Sequence, residues 1–504
     1  MFDAFQQFMP ALFLVGDPLN IVLIVLGVFI GTAFGILPGF GGSQALALMF
    51  PFTFFMEPAS AIMFMLSIYS GAEYGGSIPA ILIKTPGTSA AIMTLLDGSP
   101  MARKGRPRRA LQISNVSGVI GGLLSSVIFI FSASGLAWVG LQFGPSELFA
   151  VGIVGLTIVG GFVGGEPIKA FIGCTLGLLL STVGDSTFGG TRLTFDFPFL
   201  YDGVPLIVMI MAFLAAPEGF RLMLAALSGG RGYGAPNQPQ GTLIASSAED
   251  GFGFRDFIKI LPASIRGGLI GTAIGALPGP GPTVAAVVAY NEEKRWSKDR
   301  DRFGQGVDDA IAAPESSNNA VVAGAMVPAL ALGVPGTGAI AILLGVLVSK
   351  GIVPGPTLFS EGGPLVMSVF LGLVACNIAL LLVGWFGIRF FVPIAYVPAK
   401  LLAPFIFVLL VVGAYAYDNS VTHVVMFLVI GVFAYVLEKI GVSPLPVILG
   451  FVMGPIIETN LGRALIINRG DIVAALSHPI AAGLLLLALA IIVGSTVSMV
   501  RKKA

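Results

Sequence analysis

Long apolar stretches interrupted by glycine and proline run through almost the whole chain. A helix needs about 20 residues to cross a bilayer, and stretches of this order predict spanning or half-spanning helices. They lie at 18–37, 60–76, 110–133, 146–163, 167–183, 203–226, 258–278, 311–332, 365–391, 402–417, 420–439, 444–458 and 473–500. Shorter apolar arms at 42–56, 88–97, 282–291 and 336–349 follow Gly/Pro breaks and are typical of re-entrant or broken helices. The pattern predicts an all-α polytopic membrane protein.

Composition strengthens this prediction and excludes several other classes of protein. Of the 504 residues, 56% are hydrophobic and 11% are charged, whereas about 25% of the residues in a soluble domain are charged. The formal net charge is +1, so bulk charge gives no reason to expect a nucleic-acid partner. The chain has no Walker, zinc-protease or nucleophile-elbow motif. We therefore expect neither an enzyme nor a cofactor nor a metal site.

Two sequence motifs occur twice, in the same order. GTAFGILPG at 31–39 corresponds to GTAIGALPG at 271–279, and IPAILIKTPGT at 78–88 corresponds to VPALALGVPGT at 327–337. Two matched Gly/Pro motifs in one order are very improbable by chance, so the pattern predicts an internal duplication.

The duplication divides the chain into membrane repeats and connecting segments. A weaker third match, between Pro205–Arg221 and Pro446–Arg463, extends each repeat toward its end. The segment between the repeats is polar and rich in Gly, Ser and Pro, and the chain ends in an apolar helix with a basic tail. The predicted organisation is repeat 1 at 1–227, a linker at 228–257, repeat 2 at 258–470, and a C-terminal transmembrane helix with a cytoplasmic tail at 471–504.

The basic residues indicate how the two repeats are oriented. Loop 103–109 is the most basic in the chain, but its counterpart near 350–356 has a single charge. The opposite holds earlier in each repeat, because 292–302 is highly charged and its counterpart at 51–58 has no basic residue. Since basic loops mark the cytoplasmic side, corresponding loops are expected on opposite sides. This predicts inverted-topology repeats.

The first pair of Pro–Gly breaks has the composition of an anion site. Small residues let a ligand approach the backbone, and a helix that starts after the break directs free N–H groups and its positive dipole end toward the break. The alternative is a simple kink or a close contact between helices. The substrate-binding candidates here are Gly39, Gly41, Gly42, Ser43 and Gln44 in the first copy, and Gly279, Gly281 and Thr283 in the second.

The second pair of breaks follows the same logic. Its threonines can cap a helix or donate to a ligand oxygen. The candidates are Pro86, Gly87, Thr88 and Ser89 in the first repeat, and Pro335, Gly336 and Thr337 in the second. Four breaks in two matched pairs are expected to converge near the bilayer midplane, where we place the substrate.

Charges inside apolar segments need a physical reason, because a Lys at the bilayer centre costs roughly 2.5–3.5 kcal/mol. Lys84 precedes the second break, and it is expected to meet a substrate carboxylate or to pair with Glu73 or Asp97. Glu73 is in turn a candidate for binding a coupling cation or for pairing with Lys84.

A run of polar residues precedes an apolar helix in the second repeat. It either caps that helix or contacts the substrate and the coupling ion. Asn318 and Asn319 are the candidates for substrate contact, and Glu315, Ser316 and Ser317 are the candidates for the coupling ion.

The segments GTAFGILPGFGG, YGGSIPAILIKTPGTSAAIMTLLDGSPMARKG and PESSNNAVVAGAMVPALALGVPGTGAI resemble the large membrane subunit of tripartite tricarboxylate transporters. The resemblance implies an elevator-like secondary carrier in the bacterial inner membrane. It also implies a small membrane subunit, a periplasmic solute-binding protein, an organic carboxylate as substrate, and Na⁺ or H⁺ as coupling ion. A passive channel or an assembly scaffold is the alternative.

Overall fold

The structure is a computed structural model of the chain. It describes residues 4–37, 39–140, 142–162, 167–186, 188–227, 251–277, 279–355, 358, 363–391, 393–394, 397 and 399–503. Pro38, Pro278 and most of the predicted linker, at 228–250, lie outside the described residues.

Helices make up most of both halves. The first half contains α1 (Ala4–Gly16), α2 (Pro18–Ile36), α3 (Gly42–Met49), α4 (Pro58–Gly75), α5 (Ser77–Ile83), α6 (Ala91–Arg103), α7 (Pro107–Gly140), α8 (Pro145–Phe162), α9 (Pro167–Ser181), α10 (Leu206–Ile210), a π-helical segment (Met211–Ala215) and α11 (Ala216–Leu227). The second half contains α12 (Phe254–Gly275), α13 (Gly281–Trp296), α14 (Asp308–Leu332), α15 (Gly338–Ser349), α16 (Gly363–Phe391), α17 (Ala399–Ala416), α18 (Val421–Lys439), α19 (Pro444–Ile467), α20 (Ile472–Leu476) and α21 (Pro479–Lys503). Short 3₁₀ segments lie at Phe50–Phe55, Pro198–Leu200 and Arg300–Arg302.

Seven helices in the described part of the chain are long and apolar enough to cross a membrane. They confirm the prediction of an all-α polytopic membrane protein. The pattern did not predict α1 or the two-residue strands β1 (Gly184–Asp185) and β2 (Thr191–Arg192), which form a small antiparallel hairpin. Helix α12 begins at Phe254, inside the range predicted as linker, and its first turn is closed by the Asp256 side chain, which accepts from the Gly253 N–H.

Glycines spaced four residues apart hold corresponding helix pairs together in the two halves. A Cβ on Gly31 of α2 would overlap the backbone carbonyl of Ile68 on α4, and a Cβ on Gly271 of α12 would overlap that of Ser317 on α14. Small residues at such spacing let membrane helices approach closely. The matched motifs in the sequence therefore correspond to matched packing in the structure.

Helices α7 and α16, which occupy corresponding places in the two halves, pack against each other in antiparallel orientation. The Asn115 side chain donates to the Leu380 carbonyl at 3.0 Å. Farther along α7, the Phe129 ring lies 4.3 Å from the ring of Phe370, which comes earlier in α16. Antiparallel packing of corresponding helices is the arrangement expected of inverted repeats.

Two lysines at corresponding helix ends fasten each half to the other. Lys104 follows α6, and its Nζ donates to the Gln305 carbonyl at 2.6 Å. Lys350 follows α15, and its Nζ donates to the carbonyls of Phe54 at 3.0 Å and Met56 at 2.6 Å. In both cases the acceptor loop belongs to the other half and precedes a long helix. The halves are therefore interlocked.

The two strongly charged loops meet at one end of the molecule. Arg109, at the start of α7, binds Asp308 of α14 at 2.8 Å and Asp256 of α12 at 2.7 Å, so these three helices start together. We call this the basic end. Helix α14 has 25 residues and extends about 37 Å to the opposite end, where Gly355 N–H donates to the Leu330 carbonyl and where Lys350 lies.

Labelling of single cysteines tests this arrangement. Cysteines at Arg108 and Trp296, both exposed at the basic end, should react with an impermeant thiol reagent from one side of the membrane only. A cysteine at Val353, 74% exposed at the opposite end, should react from the other side only. Labelling of Arg108→Cys and Val353→Cys from the same side would contradict the two-ended arrangement.

Candidate functional site

A cavity of about 480 Å³ lies between the two halves, where the breaks in the helices meet. Its wall combines loop residues at all four breaks with parts of α4, the π-helical segment, α11, α18 and α19. The wall residues are Gly39, Gly41, Gly42, Ser43, Gln44, Tyr69, Glu73, Gly87, Thr88, Ser89, Phe213, Leu214, Pro217, Arg221, Gly279, Pro280, Gly281, Pro282, Thr283, Thr337, Gly338, Glu438, Ser443, Pro444 and Leu445.

Several helices begin at this wall. Gly42 starts α3, Gly281 starts α13, Thr337 is the N-cap of α15, and Ser443 is the N-cap of α19. The first N–H groups of a helix have no partner within the helix, and its start carries a positive partial charge. Four helix starts therefore bring positive partial charge to a wall that also contains the carboxyl groups of Glu73 and Glu438.

Two glycines at the first break let the chain pass close to side chains of other helices. Gly39 has φ +86°, a conformation that favours glycine, and a Cβ there would lie 2.7 Å from the Glu218 carboxylate. A Cβ on Gly42 would lie 2.6 Å from the Tyr69 ring and 3.1 Å from a Glu73 carboxylate oxygen. Glycine at these positions places the start of α3 directly against Tyr69 and Glu73.

The loops of the second pair of breaks pair with backbone around the cavity. Gly87 N–H donates to the Gly76 carbonyl at 3.0 Å, beside the interruption between α4 and α5. In the second half, Gly279 N–H donates to the Gly336 carbonyl at 3.0 Å. The Ser89 hydroxyl of the first half lies 2.6 Å from the Thr283 hydroxyl of the second. This hydrogen bond joins the two halves at the wall.

A cation that the sequence analysis missed also lines the cavity. Arg221 of α11 binds Glu218 at 2.6 Å and Glu438 of α18 at 3.3 Å. The Glu218 side chain is 1% exposed, whereas that of Arg221 is 37% exposed and reaches the cavity. The weak third match of the duplication ends at Arg221, which was the available signal for it.

Lys84 lies away from this wall. It is exposed and occupies the left-handed C-cap of α5 with φ 57°, just as Gly333 caps α14 with φ 72°. Its position gives no support to the hypothesis that it meets a substrate carboxylate. Pro86, Pro335 and Gly336 belong to the break loops but not to the wall.

The predicted polar run lies behind the wall, on a turn of α14 that is buried on all sides. Glu315, Ser316, Ser317, Asn318 and Asn319 are all buried and do not line the cavity. Asn318 connects the run to the wall, because its side-chain N–H₂ donates to the carbonyl of Glu73 at 3.3 Å.

Broken helices that enclose one polar cavity within a polytopic bundle are typical of membrane transporters. The profile of the tripartite tricarboxylate transporter TctA family matches residues 21–449. The chain belongs to this family, whose members are the large subunits of tripartite tricarboxylate transporters.

Two relatives come from Agrobacterium vitis. An uncharacterized 52.8 kDa protein in the TAR-I ttuC' 3' region is 34% identical over 487 residues, which cover 96% of this chain and 95% of the relative. An uncharacterized protein in the TAR-II ttuC' 3' region is 34% identical over 233 residues, which cover 46% of this chain and 96% of the relative. No solved structure shows a significant match.

The structure predicts that alanine acts differently at two matched glycines. A Cβ on Gly87 would overlap the Gly35 carbonyl and lie 2.8 Å from the Gly76 Cα, whereas the nearest atom to a Cβ on Gly336 is 3.5 Å away. Gly87→Ala should therefore lower the free energy of unfolding by about 1–3 kcal/mol, and Gly336→Ala should change it little. Thermal unfolding of the purified protein in detergent measures both.

The matched control is Gly483→Ala, because a Cβ there meets nothing within 4 Å. Equal destabilisation by Gly87→Ala and Gly336→Ala would show that the two loops are packed alike and would contradict the structure.

Proposed function

We propose that this chain is the translocating subunit of a binding-protein-dependent secondary carrier. It imports organic carboxylates of the di- or tricarboxylate class, together with Na⁺ or H⁺, across the bacterial inner membrane. A small membrane subunit and a periplasmic solute-binding protein complete the transporter, as membership of the family implies. The observation that carries the proposal is that the starts of several helices line one cavity between the halves.

The helix starts of the cavity wall favour an anionic substrate. Each helix start acts as roughly half a positive charge, whereas the charge of Arg221 is offset by Glu218 and Glu438, the two carboxylates that it binds. Ser43, Thr283 and Thr337 add hydroxyls at the same wall. Backbone N–H groups and hydroxyls recognise carboxylate oxygens without requiring one particular carbon skeleton. This matches a family that acts on carboxylates.

The position of the cavity supports an inward-facing state. The Tyr417 ring lies 5.6 Å from Phe54 at the opposite end, so α18 starts there and its 19 residues reach about 28 Å to the basic end. The wall residues Glu438, near the end of α18, and Ser443, just after that end, therefore lie toward the basic end. Because basic loops face the cytoplasm, we infer that the cavity opens inward and that the basic C-terminal tail is cytoplasmic.

A carrier fits the wall better than a passive channel or a scaffold. Tyr69 and Phe213, which line the cavity, are each 1% exposed. A cavity with buried lining residues, joined across the halves by Ser89 and Thr283, suits alternating access. The interlocked, antiparallel halves support inverted repeats, with elevator-like movement of one part past the other.

A reversible cross-link tests alternating access directly. Cysteines replacing Ser89 and Thr283 should form a disulfide, because the two hydroxyl oxygens lie 2.6 Å apart. Oxidation should reduce uptake at least tenfold by fixing the contact between the two break loops, and dithiothreitol should restore it. Uptake of radiolabelled succinate, malate and citrate, supplied as a pool, is measured in proteoliposomes containing all three components.

The two single-cysteine variants are the controls, and the native Cys174 and Cys376 do not interfere because both are buried. Undiminished uptake by the oxidised double variant would contradict movement at this contact. Lack of any gradient-dependent uptake by the unmodified transporter would favour a channel or a scaffold.

A further inference from the structure

We propose that Glu315 binds the coupling proton and that it is a neutral carboxylic acid in this structure. The inference rests on the proposed function and identifies which of the two possible cations is used. It stands on one juxtaposition: a buried carboxyl group of the second half is surrounded by hydroxyl groups from three helices of the first half.

The hydrogen bonds around Glu315 are divided unequally between its two oxygens. The Ser77 hydroxyl of α5 donates to Oε1 at 2.5 Å, and the Thr94 hydroxyl of α6 contacts the same oxygen. The Ser114 hydroxyl of α7 lies 2.8 Å from Oε2. Glu315 is 2% exposed, and the three hydroxyl-bearing residues are fully buried.

A neutral acid satisfies this division. A carbonyl oxygen accepts hydrogen bonds, and Oε1 has two donors. A protonated Oε2 donates one hydrogen bond, and the Ser114 hydroxyl can accept it as readily as donate. The protonated group is then satisfied on both oxygens.

An ionised Glu315 would lack a compensating charge. Among the described residues it makes no ion pair. A buried carboxylate without a cation is strongly disfavoured and takes up a proton instead. The surroundings of Glu315 therefore favour binding a proton over keeping a fixed negative charge.

The contacts around Glu315 also accommodate a proton directly. Here the hydroxyl oxygens of Ser77 and Ser114 stand at direct hydrogen-bond distance from the carboxyl oxygens. A proton on Oε2 fits this arrangement without movement of α5 or α7.

Glu73 connects this group to the cavity. Its carboxyl group lies in the wall, and its backbone carbonyl accepts from Asn318, three residues beyond Glu315 on α14. Ser77 follows Glu73 by about one helical turn. We infer that a proton passes between water in the cavity and Glu315 by way of Glu73 and Ser77, and that Glu315 alternates between acid and carboxylate during one transport cycle.

We assign proton binding to Glu315 and not to the other titratable groups around it. Tyr74, beside Glu73 on α4, has a buried hydroxyl without a hydrogen-bond partner in the described chain. Asp97 on α6 is occupied by the Tyr290 hydroxyl and by backbone N–H groups, including that of Gly306. At the starts of α7 and α14, Arg109 and Asp308 bind each other.

Infrared spectroscopy of the complete transporter tests the protonation state without a substrate. Glu315→Gln keeps the shape of the side chain, and its amide can make the same three hydrogen bonds. The wild type should show the C=O band of a buried carboxylic acid, shifted in D₂O, and Glu315→Gln should lack it. Glu57→Gln, at an exposed position, should keep it. A band that persists unchanged in Glu315→Gln overturns the proposal.

A second variant covers the case in which Glu315→Gln does not fold. Ser114→Ala removes only the partner of Oε2 and should shift the frequency of the acid band. An unchanged band in Ser114→Ala overturns the assignment to Glu315.

Proton movement distinguishes this inference from the proposed function. Proteoliposomes that contain the wild type and a trapped pH dye should acidify inside when the pool of succinate, malate and citrate is added outside and taken up. Glu315→Gln should lose acidification and uphill accumulation while retaining exchange of labelled for unlabelled substrate. Na⁺-dependent uptake without acidification would overturn the proton assignment but leave the carrier intact. Absence of both uptake and exchange in the wild type would refute the carrier, and the infrared result would still decide the state of Glu315.

Discussion

Every backbone N–H and C=O group inside a membrane needs a partner, because lipid offers none. A helix that breaks in mid-membrane is tolerated only where protein or a polar cavity satisfies the freed groups. This chain breaks its helices in two matched pairs, and the loops at Gly39, Gly87 and Gly279 all reach one cavity. The cavity and the breaks therefore depend on each other, and the remaining helices serve to hold the breaks together.

The contacts that interlock the two halves explain how the four breaks stay close together. Lys104 and Lys350 each donate to carbonyl groups of a loop in the other half. The glycines spaced four residues apart bring α2 close to α4 and α12 close to α14. Because each half supplies part of the cavity wall, neither half can form the site alone. The same interlocking surrounds Glu315 of one half with hydroxyl groups of the other, which places the proposed proton-binding group at the joint between them.

The sequence was sufficient for those features that a local pattern encodes. The Pro–Gly motifs predicted the breaks, and their repetition predicted which loops would correspond. Arg221 was missed because only the packing of α11 against α18 brings it to the cavity. Lys84 was read as a buried cation because its neighbours in sequence are apolar, yet the helix ends there and the side chain is exposed. The hydroxyl groups around Glu315 lie far from it in the chain, so no local pattern could have revealed them.

The most direct test of this account is the position of a bound anion. A structure of the protein with 2-bromosuccinate, in which anomalous scattering locates the bromine, reports that position without a functional assay. The account predicts bromine density inside the cavity, with the carboxylates at the starts of α3, α13 and α15 near Ser43, Thr283 and Thr337. Density outside this cavity, for example beside Lys84, would contradict the claim that the helix breaks form the substrate site.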